Sequence, residues 1–301
     1  MLDDIATLAA PRLTTNHALS HPLFDYMIER EKIRQRKEAG QPWPWTDDPI
    51  LQEGRFTNVR RSDDKTTREL MANFYGPHVA GARPGDVLFN CAIGRLFHGA
   101  DVACHIGGQT DWDPEATIAR LRTWPGLKWP SAYIVGTNGE SGDKAEYICR
   151  KALTPLWHAR HRIAENAMLP CYGWEYLCGG LRELKGIGGT GFMAKELAQD
   201  FILATGWKPR DLNTFTPVGP GARRGLNRLH GRRVDEDIKS SSRSAEYRFL
   251  KQTRELFEMR QRYLPHDFVE LQLHDIQFCL CEYDKLERAR EGGKLKRRYA
   301  A

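Results

Sequence analysis

Apolar residues recur along this chain at three- and four-residue spacing, and strict apolar–polar alternation is scarce, so the pattern predicts helices and not a sheet. The helical windows fall at 22–38, 64–75, 114–122, 141–153, 154–168, 174–184, 192–205, 220–229, 244–263 and 267–290. Leu23, Met27 and Ile28 mark a face of the first. Phe268, Leu271, Asp275, Phe278 and Glu282 share a face of the last, with Leu271 and Phe278 expected in the core. Pro and Gly interrupt the pattern in QPWPWTDDP from Gln41, GPHVAGARPG from Gly76, WPGLKWP from Trp124 and TPVGPG from Thr216, which are expected to be loops. No internal repeat is present. The expected fold class is all-α, with one domain over 1–289 and a basic, flexible tail over 290–301.

The 301 residues are 41% hydrophobic, with eight Trp, ten Tyr and twelve Phe, which excludes a disordered chain. No apolar run approaches the roughly 18–20 residues of a spanning helix, so no membrane partner is expected. The opening MLDDIATLAAPRL lacks the basic flank and apolar stretch of a secretory signal, so a cytoplasmic location is expected, with the seven Cys as reduced thiols. A net charge of +6 is too small to name a partner, but its placement is informative: 207–233 carries seven basic side chains against one acid, Asp211.

The segment LRELKGIGGTGFMAKELAQDF, from Leu181, reads as a helix, a tight LKGIG turn and a second helix from Phe192, the outline of a helix-hairpin-helix near 181–205. Glycines let such a turn come close to a phosphate, and exposed N–H groups bind the nucleic-acid backbone without reading sequence. Lys185, Gly186, Gly188, Gly189 and Thr190 are the DNA-binding candidates; a plain helix-to-helix connection is the alternative. The arrangement resembles DNA glycosylases of this fold, in which an essential Asp follows the hairpin, and Asp211 stands at a similar place. Thr190 occupies the position where glycosylases with lyase activity carry Lys, which argues against Schiff-base chemistry there. Cys171 and Cys178 have no second pair nearby, so no zinc or iron–sulfur site is expected. No GxxxxGK[ST] string occurs; YIVGTNGESGDKAEY from Tyr133 is a decoy, and kinase activity would require another polypeptide.

Five motifs narrow the resemblance: EREKIRQRKEAGQPWPWTDDPIL from Glu29, RFTNVRRSDD from Arg55, FMAKELAQD at 192–200, DLNTFTPVGPGARRGL from Asp211, and CEYDK at 281–285. Together they resemble the phage DNA-hypermodification family of alpha-glutamyl/putrescinyl thymine pyrophosphorylases, or amino acid:DNA transferases, which is related to the helical domain of 5-hydroxymethyluracil DNA kinases. The resemblance implies a two-lobed helix-hairpin-helix DNA-glycosylase-like architecture. It also implies three partners: DNA carrying activated 5-hydroxymethyluracil, a free amino acid or amine, and a separate hydroxymethyluracil DNA kinase. The reaction implied is replacement of pyrophosphate on the thymine 5-methylene by the amine.

That reaction assigns candidate roles. Trp43, Trp45 and Phe56 would stack on an extruded base, unless they plug the junction between lobes, and Asn58 would orient the base edge or an arginine. Arg55, Arg60, Arg61, Arg223 and Arg224 would receive the pyrophosphate through planar donors, with DNA phosphates and salt bridges to Asp63 and Asp64 as alternatives. Asp211 is the first candidate to bind the ammonium and accept its proton; its structural alternative is an N-cap for the following turn. Glu196 and Asp200, four apart on one helix face, form a second acidic candidate that would otherwise anchor arginines. Asp47 and Asp48 are candidate Mg²⁺ ligands, and no other cofactor is expected. Glu282, Asp284 and Lys285 belong to the C-terminal motif. Two other functions compete: a glycosylase excising a modified base, and a noncatalytic DNA-binding partner of a kinase.

Overall fold

The computed structural model describes residues 20–97, 99–129, 135–137, 139–187, 191–295 and 298–299. Its elements are α1 (Pro22–Glu38), α2 (Pro49–Glu53), α3 (Lys65–Leu70), α4 (Gly76–Val79), α5 (Pro84–Leu96), α6 (Gly99–Ile106), α7 (Pro114–Thr123), α8 (Lys144–Tyr147), α9 (Thr154–Ala167), α10 (Trp174–Arg182), α11 (Phe192–Thr205), α12 (Pro220–Leu229), α13 (Arg243–Tyr263) and α14 (Leu273–Arg290). A 3₁₀ turn at Arg61–Asp63 precedes α3, and π-helical turns at Met71–Tyr75 and Ile148–Leu153 lead into α4 and α9. The fold is all-α; among the described residues the β-type pairing is one isolated bridge, Gly54 with Arg298.

The Pro-rich loops sit immediately before helices because proline, lacking an N–H, is suited to the first turn: Pro22, Pro49, Pro84, Pro114 and Pro220 each open one. Asp48, Asp113 and Asp143 cap α2, α7 and α8 through side-chain oxygens. Asp143 belongs to the glycine-bearing segment from Tyr133, part of which lies outside the described residues; its carboxylate accepts Ala145 N–H at 2.8 Å, a cap and not a phosphate loop.

Burial divides into two hydrophobic clusters. One runs from α3 to α11 and includes Phe89, Leu153, Trp174 and Phe201. The other joins α1 and the loop after α2 to α12, α13 and α14, with Phe24, Met27, Phe249 and Leu280 at its centre. The N-terminal helix thus packs with the C-terminal ones.

Four helices were not legible in the pattern. α2 and α4 are short, and α4 corrects the loop expected over GPHVAGARPG. α5 opens at the end of that stretch and runs on into an apolar one; it is buried on every side from Val87 to Leu96, so it has no polar face to give a period. Its glycines are packing positions: a Cβ on Gly94 would lie 2.4 Å from the Tyr75 hydroxyl. α6 was likewise unassigned. The last helix starts at Leu273 and not at 267, because the Asp275 carboxylate turns back to Gln272 N–H at 2.9 Å in a capping box. The tail is corrected at two residues: Arg298 bridges Gly54, and Tyr299 N–H donates to Glu53 O at 2.9 Å. No helix among the described residues is long and apolar enough to cross a membrane.

Candidate functional site

α11 is enclosed around its whole circumference from Met193 to Ile202, yet it carries Lys195, Glu196, Gln199 and Asp200. Charges in such a position require partners. Asp200 is held by both Nε and Nη2 of Arg95, the latter at 2.5 Å, and by the Tyr75 hydroxyl at 2.6 Å. Glu196 accepts Arg61 Nη2 at 2.6 Å and lies 3.0 Å from Lys195 Nζ, which donates to Gln277 Oε1 of α14 at 2.7 Å. Burial pushes the Glu196 carboxyl up, but the Arg61, Lys195 and Arg95 charges outweigh it and bring the carboxyl down to about 2. The acidic pair is therefore corrected: Asp200 and Glu196 are 0% and 1% exposed and serve as anchors for arginines, not as groups open to substrate.

The RFTNVRRSDD loop is held by the other motifs. Arg30 donates to Phe56 O at 3.1 Å, Thr57 O at 3.0 Å and Asn58 Oδ1 at 2.5 Å. Glu282 accepts Thr57 N–H at 3.1 Å, Asp64 accepts Asn58 N–H at 2.9 Å, and Asp275 accepts Arg61 N–H at 3.0 Å. Lys285 donates to Arg55 O at 2.5 Å and stands 4.4 Å above the Phe56 ring. Four of the five motifs thus meet in one polar framework between the clusters.

This framework reassigns most of the arginines. Arg61 is enclosed by Glu196, by Asp64 at 3.1 Å and by the Phe278 ring at 5.1 Å. Arg223 is 2% exposed and donates to Val218 O, Asp237 O and Ser240 O, stitching the loop after α12 in place. Arg224 pairs with Asp284 at 2.9 Å, and Arg60 grips Asp63 at 2.8 and 3.0 Å. Direct pyrophosphate binding by Arg61 and Arg223 is corrected, since their donors face interior oxygens. Arg55 is exposed and makes no carboxylate pair among the described residues. Phe56, at 5% exposure, is a plug and not a stacking surface; Trp43 is 57% exposed and Trp45 half-buried. Asn58 is spanned by Arg30 and by its own bond to Asp63 O at 2.7 Å.

Asp211 lies apart from these arginines. Its Oδ1 accepts Trp174 N–H at 2.7 Å and its Oδ2 accepts Glu175 N–H at 2.8 Å, so the segment after α11 caps α10, the first helix of the hairpin. The cap serves an earlier helix, not the following turn. The side chain is half-buried, and each oxygen keeps acceptor capacity beyond the one bond it makes. No hydrogen bond or ion pair among the described residues joins it to Arg55, Arg60, Arg61, Arg223 or Arg224; the cations beside it in sequence are the exposed Lys208 and Arg210, the latter bonded to Cys171 O at 2.8 Å.

In the hairpin, Gly186 adopts φ +84, and a Cβ there would lie 2.7 Å from Ala152 Cβ, so this glycine is required by both conformation and packing. Lys185 pairs with Glu140. Gly188, Gly189 and Thr190 lie outside the described residues. Asp47 is exposed, whereas Asp48 is occupied by the α2 cap and by Arg290 at 2.9 Å. No group of three His, Cys, Asp or Glu among the described residues is placed to hold a metal. Burial and the neighbouring Asp200 push the Cys91 thiol up, which leaves it a poor nucleophile.

Sequence reasoning passed over Arg30, Arg95, Lys195 and Gln277. The available signal was a long polar side chain within an apolar helix face, as Lys195 sits in FMAKELA.

Residues 17–294 match the family described as 5-hmdU DNA kinase, helical domain. The chain belongs to this family. It is similar to the 5-hmdU DNA kinase of Bacillus phage SP10, being 26% identical over 236 residues that cover 70% of this chain and 36% of the relative. The chain thus spans about a third of the length of the curated relative it matches. No solved structure matches. All five motifs and the framework they build lie within the span matched to this helical-domain family.

Proposed function

We propose that this helical domain acts on 5-hydroxymethyluracil-derived bases in DNA as a transferase, placing an amino acid or amine on the 5-methylene carbon with release of pyrophosphate. The observation that carries the reading is Asp211: a half-buried carboxylate, fixed by two backbone N–H groups at the N-terminus of α10, with acceptor capacity left over. Such a group binds an incoming ammonium and takes one proton from it, which frees the nitrogen lone pair to form the C–N bond; the second proton leaves the product nitrogen to the diphosphate or to solvent. The C–O bond to pyrophosphate breaks in the same exchange, and its electron pair departs with the diphosphate. With Arg61 and Arg223 turned inward, the exposed cations beside Asp211, Lys208 and Arg210, take over stabilisation of the leaving charge. The base is reached by extrusion from the duplex. Since these 301 residues have no GxxxxGK[ST] string, the activating phosphorylation is assigned to a kinase site outside them.

A second reading, a DNA-recognition domain that delivers the base to a kinase, is favoured by the much greater length of the relative and by the internal pairing of the arginines. One experiment separates the two: incubation with kinase-treated hydroxymethyluracil DNA and a mixture of amines, followed by mass spectrometry of the nucleosides. Transfer predicts a mass gain matching one amine, together with pyrophosphate. Unchanged nucleosides, with faster phosphorylation when kinase is added, select recognition alone. Abasic sites would select a glycosylase.

A further inference from the structure

The end of α1, loop 41–48, the loop after α2 and the returning tail bring two aromatic rings and two cations together, with a third ring on the same loop 41–48. Trp45 and Tyr299 meet edge to face at 5.5 Å. Lys37 Nζ lies 5.4 Å from the centre of each ring, and the Arg55 guanidinium 5.7 Å from that of Tyr299. Trp43, 57% exposed, stands on the same loop. Both indole N–H groups are turned to backbone, Trp45 to Gln41 O at 2.8 Å and Trp43 to Gln52 O at 3.5 Å, so what remains for a ligand is ring face. Neither Lys37 nor Arg55 has a carboxylate partner among the described residues, so both charges are open to an anion. The tail is held to the loop by its bridge to Gly54, by Tyr299 N–H to Glu53 O and by Arg298 to Glu53 at 3.4 Å.

We propose that Trp43, Trp45 and Tyr299, with Lys37 and Arg55, form a stacking platform for single-stranded DNA, so that the C-terminal segment is part of the nucleic-acid surface. The chemistry is that of a strand binder: ring faces accept unpaired bases of any identity, and uncompensated cations beside them take the phosphodiester. An intact duplex offers its phosphates and groove edges but no free base faces, so a duplex does not use the rings. The site lies away from Asp211 in sequence and shares no contact with it, and it fits the strand left unpaired around an extruded base. The proposal rests on the reading that the chain acts on DNA.

The test is titration of the full chain with oligothymidylate and with a duplex of equal length, read by anisotropy and tryptophan quenching across a salt series. Expected results are quenching by the single strand, about a 5- to 100-fold loss of single-strand affinity in Trp43→Ala and Tyr299→Ala, partial recovery in Tyr299→Phe, and little change for the duplex. Lys37→Gln with Arg55→Gln should reduce the salt slope for the single strand by about 1.4. Wild-type DNA binding with no response to any of these variants overturns the platform and leaves the DNA reading intact. Binding of neither DNA by the wild type overturns both. Equal binding of polyglutamate would show a general anion surface and also overturn the platform. Unchanged melting temperatures guard against misfolding, and the charge pair offers an independent readout should a ring variant fail to fold.

Discussion

Gly173 leaves the space that the Asp211 carboxylate fills: a Cβ on Gly173 would lie 2.3 Å from Oδ1 and 2.9 Å from Oδ2. The absence of a side chain at one position thus allows the cap at the other. Gly173→Ala should eject the carboxylate, at about 0.5–2 kcal/mol of stability for the lost cap, and should abolish amine transfer. Asp211→Asn keeps the volume and one of the two acceptors but sets its NH2 against the other backbone N–H, so it should cost about 0.5–2 kcal/mol of cap stability while transfer drops about 100-fold or more. Normal turnover in Asp211→Asn would remove Asp211 from the chemistry.

Asp200 and Arg95 form an enclosed pair, at 0% and 2% exposure. Asp200→Asn removes the carboxylate in direct contact with the buried Arg95 guanidinium and should cost about 3–5 kcal/mol in urea unfolding. A loss below about 1 kcal/mol would mean that water reaches the pair.

Acid should weaken the framework through Glu196. Its folded-state carboxyl stands at about 2 against an ordinary 4.5, a depressed value, so its contribution is fully present above about pH 4.5 and is lost as pH falls towards 2. The stability advantage of the wild type over Glu196→Gln should therefore shrink across that window. Urea midpoints that stay parallel between pH 4.5 and 2 would contradict the arrangement.

At Gly186 the positive φ and the nearby Ala152 both oppose a side chain. Gly186→Ala should destabilise the hairpin by at least about 1–2 kcal/mol from conformation alone. Adding Ala152→Gly should return the packing part and leave the conformational part, which a double-mutant cycle on thermal unfolding would measure.

Much of the fold was readable before any coordinates. The windows at 22–38, 192–205 and 220–229 coincide with α1, α11 and α12, because a proline opens or a glycine precedes each one and apolar spacing continues through it. The 64–75 window is also helical, divided into α3 and a π turn. α5 escaped because burial on all sides erases periodicity. The candidate site was legible as a set of motifs but not as a set of roles: RFTNVRRSDD stood out as a loop without showing that Arg61 faces inward, Arg60 turns to Asp63, and Arg55 stays in solvent.

The sequence by itself determined where most of the longer helices lie, α10 and α11 among them, and which segments gather charge, since capping, proline geometry and apolar spacing act over a few residues. Only the tertiary structure decided which charges are consumed. Arg95 meets Asp200 across 105 positions, and Arg61 meets Glu196 across 135. Whether a carboxylate becomes an anchor or a reactive group depends on desolvation and on the counter-charge brought to it, and both arise from elements that the local pattern cannot pair.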